Sequence, residues 1–123
     1  HGLSYTNFSY SALELTAAEL DSKGSIEVSF VLKNTGAYAG KEVAQMYVRD
    51  LVASVTRPVK ELKGFELVSL RPGESKKVRF VIDSKTLEFY SAREKWESEA
   101  GTFKVFVGGS SKTQLETEFL FKK

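Results

Sequence analysis

Apolar and polar side chains alternate at period two through most of the chain, which is the pattern of strands that bury one face and wet the other. Ile26, Val28, Phe30 and Leu32 fall on one side of such a strand, with Glu27, Ser29 and Lys33 marking the other. Ala44, Met46 and Val48 repeat the rhythm, and Val78, Phe80 and Ile82 oppose Lys77, Arg79 and Val81. Phe103, Val105 and Val107 share a side between Gly101 and Gly108, and Leu115, Thr117, Phe119 and Phe121 close the chain in the same way. The pattern predicts at least five strands whose apolar residues, Phe80 included, are buried on facing sheets. Residues 13–20 read as a further strand. Residues 84–91, after Asp83-Ser84, are the place for one helical turn.

Turn chemistry separates these runs: Asp21-Ser22-Lys23-Gly24, Asn34-Thr35-Gly36, Arg71-Pro72-Gly73-Glu74 and Glu99-Ala100-Gly101. In the third, proline presets φ at the first corner and glycine accepts positive φ at the second, which predicts a type II turn. Strands about ten residues apart with such turns specify a two-sheet sandwich of about seven strands with Greek-key-like connections. No internal repeat and no low-complexity linker divides the chain.

A chain of 123 residues is one domain, and burying about two-thirds of its unfolded surface lets it fold alone. Its formal charge of +2, from 18 basic and 16 acidic residues, gives no basic stripe, so no nucleic-acid partner is expected. No apolar run approaches a membrane span, so no membrane partner is expected either. Without cysteine, and with its single histidine at residue 1, the chain offers no disulfide framework and no transition-metal cluster. No metal or cofactor is assigned.

The run Val55-Thr56-Arg57-Pro58-Val59-Lys60-Glu61-Leu62-Lys63-Gly64-Phe65 is too polar for a core strand and too specifically patterned for a loose loop; it reads as a presented surface. It stands with His1-Gly2-Leu3-Ser4-Tyr5-Thr6, Asn34-Thr35-Gly36, Ala39-Gly40-Lys41-Glu42-Val43 and Val107-Gly108-Gly109-Ser110-Ser111. Together these motifs resemble the fibronectin type III-like domain that closes many glycoside hydrolase family 3 enzymes of the bacterial β-glucosidase type, over nearly the whole chain. The resemblance implies an immunoglobulin/fibronectin type III-like sandwich over residues 13–123, led into by a segment 1–12 from a preceding domain. It also implies that both catalytic carboxylates lie in upstream domains. The parent would be a retaining, exo-acting β-glucosidase-like hydrolase forming a glycosyl-aspartate intermediate, periplasmic or secreted in a bacterium. A start at His1-Gly2-Leu3 without methionine is what a piece cut at a domain boundary would have, and His1 reads equally as a tag remnant. One departure from ordinary fibronectin type III domains is Phe103, where tyrosine usually ties a corner through its hydroxyl; Tyr90 or packing alone would have to substitute.

Several constellations mimic chemistry. Glu94, Glu97 and Glu99 around Trp96 imitate a glycosidase carboxylate pair beside a stacking aromatic, but solvent-facing acids with Trp96 covering the sandwich edge is the better reading, and no catalytic residue is assigned. Trp96 as a sugar platform is the lesser alternative, since no coplanar aromatic can be put beside it. Gly108-Gly109-Ser110-Ser111 lacks the lysine and helix start of a phosphate cradle and reads as a turn. Asn7-Phe8-Ser9 matches a glycosylation acceptor, relevant to a eukaryotic secretory source alone.

The expected functional surface is therefore residues 51–65. Leu51, Val52 and Val55 are apolar in a polar stretch, and Arg57 and Lys60 flank Pro58, which restricts the backbone and lowers the entropy lost on docking. Tyr5, Leu51, Val55, Arg57, Lys60 and Glu61 are the candidate docking residues toward the upstream catalytic domains of the same chain. The competing function is an independent carbohydrate- or cell-surface-binding module carried by Trp96.

Overall fold

The alternating strands assemble into two sheets whose inward residues form one core. The computed structural model describes residues 6–51, 60–90, 94–110 and 113–123. Strands β1 (Phe8–Leu15), β3 (Ser25–Asn34) and β6 (Ser75–Asp83) form a three-stranded sheet with β3 central. Strands β2 (Glu19–Asp21), β4 (Gly40–Asp50), β5 (Glu61–Leu70), β9 (Gly101–Gly108) and β10 (Leu115–Lys122) form the second, in the order β2-β10-β9-β4-β5. β7 (Phe89–Tyr90) and β8 (Trp96–Glu97) make a short ribbon. β2 runs parallel to β10, whereas the other described pairings are antiparallel.

Register explains the core. Ile26 pairs with Ile82, Val28 with Phe80 and Phe30 with Val78, so inward residues of β3 and β6 lie directly opposite one another. Met46 pairs with Val107 and Val48 with Val105 across the other sheet. Ile26, Val28, Phe30, Leu32, Ala44, Val105, Val107 and Phe121 are fully buried. Phe103 stacks on Phe119 at 5.6 Å between centroids and meets the edge of Phe121 at 6.3 Å, so ring packing holds the position where a tyrosine hydroxyl is usual.

Four sequence expectations change in detail. Phe80 is half-buried rather than fully buried, because β6 is an edge strand; its ring lies over Gly64 of β5, where an added Cβ would come within 2.9 Å of it. The strand expected over residues 13–20 is split, since β1 ends at Leu15 in one sheet and β2 begins at Glu19 in the other. Pairing of β1 with β3 begins at Phe8, inside the stretch read as a lead-in. Residues 61–65, read as part of a presented surface too polar for a core strand, are the start of β5. The expected helical turn is a run of three i+3 bonds, from Thr86 to Asp83, Leu87 to Ser84 and Glu88 to Lys85. Bonds from the Thr86 backbone and hydroxyl hold the Asp83 carboxyl below the usual carboxylate range.

Two of the crossings of the chain between sheets, after β3 and after β5, meet at Asn34, which is wholly buried. Its Oδ1 accepts from the Thr6 hydroxyl at 2.6 Å and from the Gly36 N–H at 2.9 Å, and its Nδ2 donates to the carbonyls of Tyr38 at 2.8 Å and Leu70 at 3.0 Å. Its backbone N–H donates to Glu74 O, and its own carbonyl accepts from Gly73 N, both at 2.9 Å. Gly73 has φ of 79°, and Glu74 N–H donates to Arg71 O at 2.9 Å, as the type II turn requires. A second link joins the sheets where the buried Tyr10 hydroxyl of β1 donates to Glu42 Oε2 of β4 at 2.8 Å.

Replacing Asn34 by alanine strands two donors and two carbonyl acceptors around a void, so Asn34→Ala should lower stability by about 3 to 5 kcal/mol in denaturant melts. A loss under about 1 kcal/mol would show that the amide network is dispensable. Burial first, and then the bond to Glu42 and its charge, raise the Tyr10 hydroxyl above its ordinary 10.0. The unfolded chain therefore loses this proton first. Stability from Tyr10 is complete below about pH 10 and falls as pH rises beyond it, because the native state then binds more protons than the unfolded state. Urea melts between about pH 8 and 11 should show a steeper alkaline decline for the wild type than for Tyr10→Phe. Parallel declines would refute the assignment.

Candidate functional site

The candidate surface lies at the end of the β4–β5 pair. Tyr47 and Arg49 point outward from β4, opposite Phe106 and Lys104 of β9. The Tyr47 hydroxyl donates to Gln45 Oε1 of the same strand. Phe106 also lies on the outer face, yet it is 7% exposed, because cations cover it. Lys60 Nζ sits 4.5 Å from its ring centroid and 5.7 Å from that of Tyr47, and Lys104 Nζ sits 6.0 Å from the Phe106 ring. Lys60 also donates to Thr113 Oγ1 at 3.4 Å, so the residue leading into β5 bridges to the chain leading into β10. Lys104 is paired with Glu116 at 2.7 Å. Arg49 Nε is buried without a hydrogen-bond partner among the described residues.

Of the six residues proposed for docking, Leu51, Lys60 and Glu61 come together here. Leu51 leaves β4 with its N–H donating to Thr102 O at 3.0 Å and its side chain 41% exposed. Glu61 lies opposite Val48 and, itself exposed, forms a long pair with the partly buried Lys63 at 3.7 Å, which adds little stability. Tyr5, Val55 and Arg57 lie outside the described residues. Sequence reasoning missed Tyr47, Arg49 and Phe106. The available signal was Phe106 itself, an aromatic at an outward position between Val105 and Val107.

Trp96 stands elsewhere, on β8 opposite Tyr90, and is 67% exposed. It is not the covered position expected of a residue capping the sandwich edge. Glu94 before it has φ of 59°, while Glu97 and Glu99 are half-buried on either side of the buried Ser98. Lys123 Nζ donates to Ser98 O at 2.5 Å, tying the chain end to this ribbon. Gly108 ends β9 and Gly109 and Ser110 bend away from it, while Ser111 of the expected turn lies outside the described residues; a Cβ on Gly109 would fall 2.3 Å from Glu42 Oε2.

Residues 42–111 match the family model for the fibronectin type III-like domain. The chain belongs to that family. This fibronectin type III-like domain is 46% identical over 113 residues to thermostable β-glucosidase B of Acetivibrio thermocellus, covering 91% of this chain and 15% of that protein. It is 44% identical over 111 residues to a periplasmic β-glucosidase of Salmonella typhimurium, covering 90% of this chain and 14% of that protein. The β-glucosidase of Listeria innocua in complex with glucose superimposes with a TM-score of 0.90 at 40% identity, covering all of this chain and 17% of that one. The domain thus spans about a sixth of the length of the relatives it matches, and the resemblance read from its motifs is borne out.

The Lys60 clamp gives a direct test within the domain. Lys60→Ala removes the cation above Phe106 and the aliphatic stem that shields it, and should cost about 1 kcal/mol in denaturant melts. Lys60→Met should recover part of that loss, because the stem is kept. Melts of Lys60→Ala that match the wild type would show that neither contact contributes.

Proposed function

We propose that the chain is a non-catalytic accessory domain of a β-glucosidase-like glycosidase, docked on the catalytic domains upstream of it in the same polypeptide. The observation that carries this reading is the match of the chain, over its whole length, to about a sixth of a solved β-glucosidase. The surface is the connection from Leu51 to Glu61 with the segment around Tyr5, and Arg57 is its best single contact. A guanidinium can bond in two directions to a carboxylate or to backbone carbonyls, so it holds orientation as well as position. On this reading the retaining, exo-acting chemistry, with its glycosyl-aspartate intermediate, belongs to the parent's other domains. The domain contributes stability to them and shapes the approach to their active-site mouth. Export to a periplasm or to the medium fits the relative that is a periplasmic β-glucosidase.

A second reading, direct carbohydrate binding, is favoured by the exposure of Trp96, whose face could stack on a pyranose. It requires the isolated domain to bind sugar, with loss of binding on Trp96→Ala.

In the multidomain enzyme, Arg57→Ala should lower the thermal midpoint or activity, whereas the isolated domain should melt almost unchanged. Purified domain should not turn over a chromogenic β-glucoside. An equal loss of stability in both contexts would assign Arg57 to bracing its own sandwich. Turnover by the domain, abolished by Glu97→Gln or Glu99→Gln with the fold intact, would overturn the accessory role.

A further inference from the structure

We propose that the outer face of β4 and β5, away from the core, is a docking surface for the catalytic portion of the same polypeptide; this rests on the accessory role proposed above. β5 is an edge strand. Its outward residues Leu67, Phe65 and Leu62 stand opposite Val43, Gln45 and Tyr47 of β4. Phe65 is 67% exposed, Leu67 61%, Leu62 47% and Val43 40%.

The strip is built by an irregularity in the pairing. Gly64 is paired with Met46 and Leu62 with Tyr47, so Lys63 is an extra residue in β5. Met46 is buried in the core and Gly64 lies beneath Phe80. In an unbroken strand Leu62 would share that inward side, two residues from Gly64. The inserted residue returns it to the outer side beside Phe65 and makes the apolar strip continuous.

Outer faces of antiparallel sheets are ordinarily polar, although here Val81 on the outer side of β6 is 57% exposed and Phe106 on that of β9 is covered by lysines. The outer side of β3 and β6 carries the Glu27–Arg79 pair, and that of β9 and β10 the Lys104–Glu116 pair. What sets β4 and β5 apart is that Val43, Leu62, Phe65 and Leu67 adjoin one another on one face, whereas Val81 stands opposite Glu27.

Its size selects the occupant. Four partly exposed side chains present a few hundred Å², well below the roughly 800 Å² per partner of a stable complex between separate molecules. A partner on the same polypeptide needs less, since the linkage holds it at an effective concentration near the millimolar range. The relatives supply such a partner, because this domain accounts for 14 to 17% of their lengths. The strip ends at Tyr47 and Leu62, next to Lys60, Leu51 and the buried Arg49 Nε, so it extends the surface proposed above along the sheet.

The experiment introduces Phe65→Asp into the multidomain enzyme and into the isolated chain, with Leu67→Gln as the milder variant. In the isolated chain the thermal midpoint should stay within about 3 °C of the wild type. In the multidomain enzyme, proteolytic release of this domain under native conditions should quicken by about tenfold. If release is unchanged while deleting the whole domain destabilises the enzyme, this surface is wrong and the accessory role stands. If deletion also leaves the enzyme unaffected, the accessory role fails as well. Dimerisation of the isolated chain in sedimentation, abolished by Phe65→Asp, would assign the face to a second copy and overturn the proposal. Sugar-induced NMR shifts centred on Phe65 and Leu67 would overturn it too.

Discussion

Asn34 is the constraint on which the sandwich depends. A primary amide offers two donor hydrogens and two acceptor lone pairs, and here all four are used inside the protein. The group can therefore be wholly buried without the penalty that an unpaired amide would incur. What it joins matters more than its own energy. Asn34 ends β3, where the chain leaves the three-stranded sheet, and Leu70 ends β5, where the chain returns to that sheet through the 71–74 turn. One side chain thus holds these two of the chain's sheet crossings, together with Thr6 ahead of β1. Gly36 is required for this, since a Cβ there would lie 2.0 Å from the Thr6 hydroxyl that donates to Asn34.

Such a knot fixes the relation of the two sheets, and the Tyr10–Glu42 bond repeats the link from β1 to β4. With the sheets locked, the backbone positions of the outward side chains of β4 and β5 are fixed relative to one another. Lys60 does the same for the far end of the pair, laying its stem and charge over Phe106 and reaching Thr113. Preorganisation of this kind reduces the ordering entropy that a contact must overcome. It is what a domain needs if it is to work through one face rather than through bound chemistry.

Much of this was legible in the sequence, for reasons that also explain what was not. β3, β4, β6, β9 and β10 could be read because one face of each is buried and the other solvated, so the period of two survives. The 71–74 turn was legible because proline and glycine have few alternatives. β5 escaped because both its faces carry apolar residues, Val68 and Leu70 inward and Phe65 and Leu67 outward, and because the extra residue Lys63 shifts the phase partway along. The change of sheet after Leu15 left no mark beyond Thr16, whose hydroxyl accepts from Glu27 N–H at 2.9 Å. Of the candidate docking residues, Leu51, Lys60 and Glu61, which lie at the end of the β4–β5 pair, were picked out by apolar and charged character beside Pro58. Phe106 and Tyr47 were not, since nothing in a one-dimensional pattern shows that a lysine will cross strands to cover an outward ring.

An apolar strip beside a long edge strand is a hazard, since open backbone groups and exposed hydrophobic side chains together invite strand addition and aggregation. The arrangement of β5 separates the two risks. The inserted Lys63 interrupts the ladder and increases the local twist, and Glu66 is engaged by Lys76 from the neighbouring β6 at 2.7 Å. Charge and distortion therefore guard the edge, while Leu62, Phe65 and Leu67 keep the face apolar. A partner that added a strand to β5 would meet the bulge and these charges. A partner that laid an apolar surface across the sheet would meet neither, so the same residue that puts Leu62 on the outer face also directs recognition to side chains rather than to backbone.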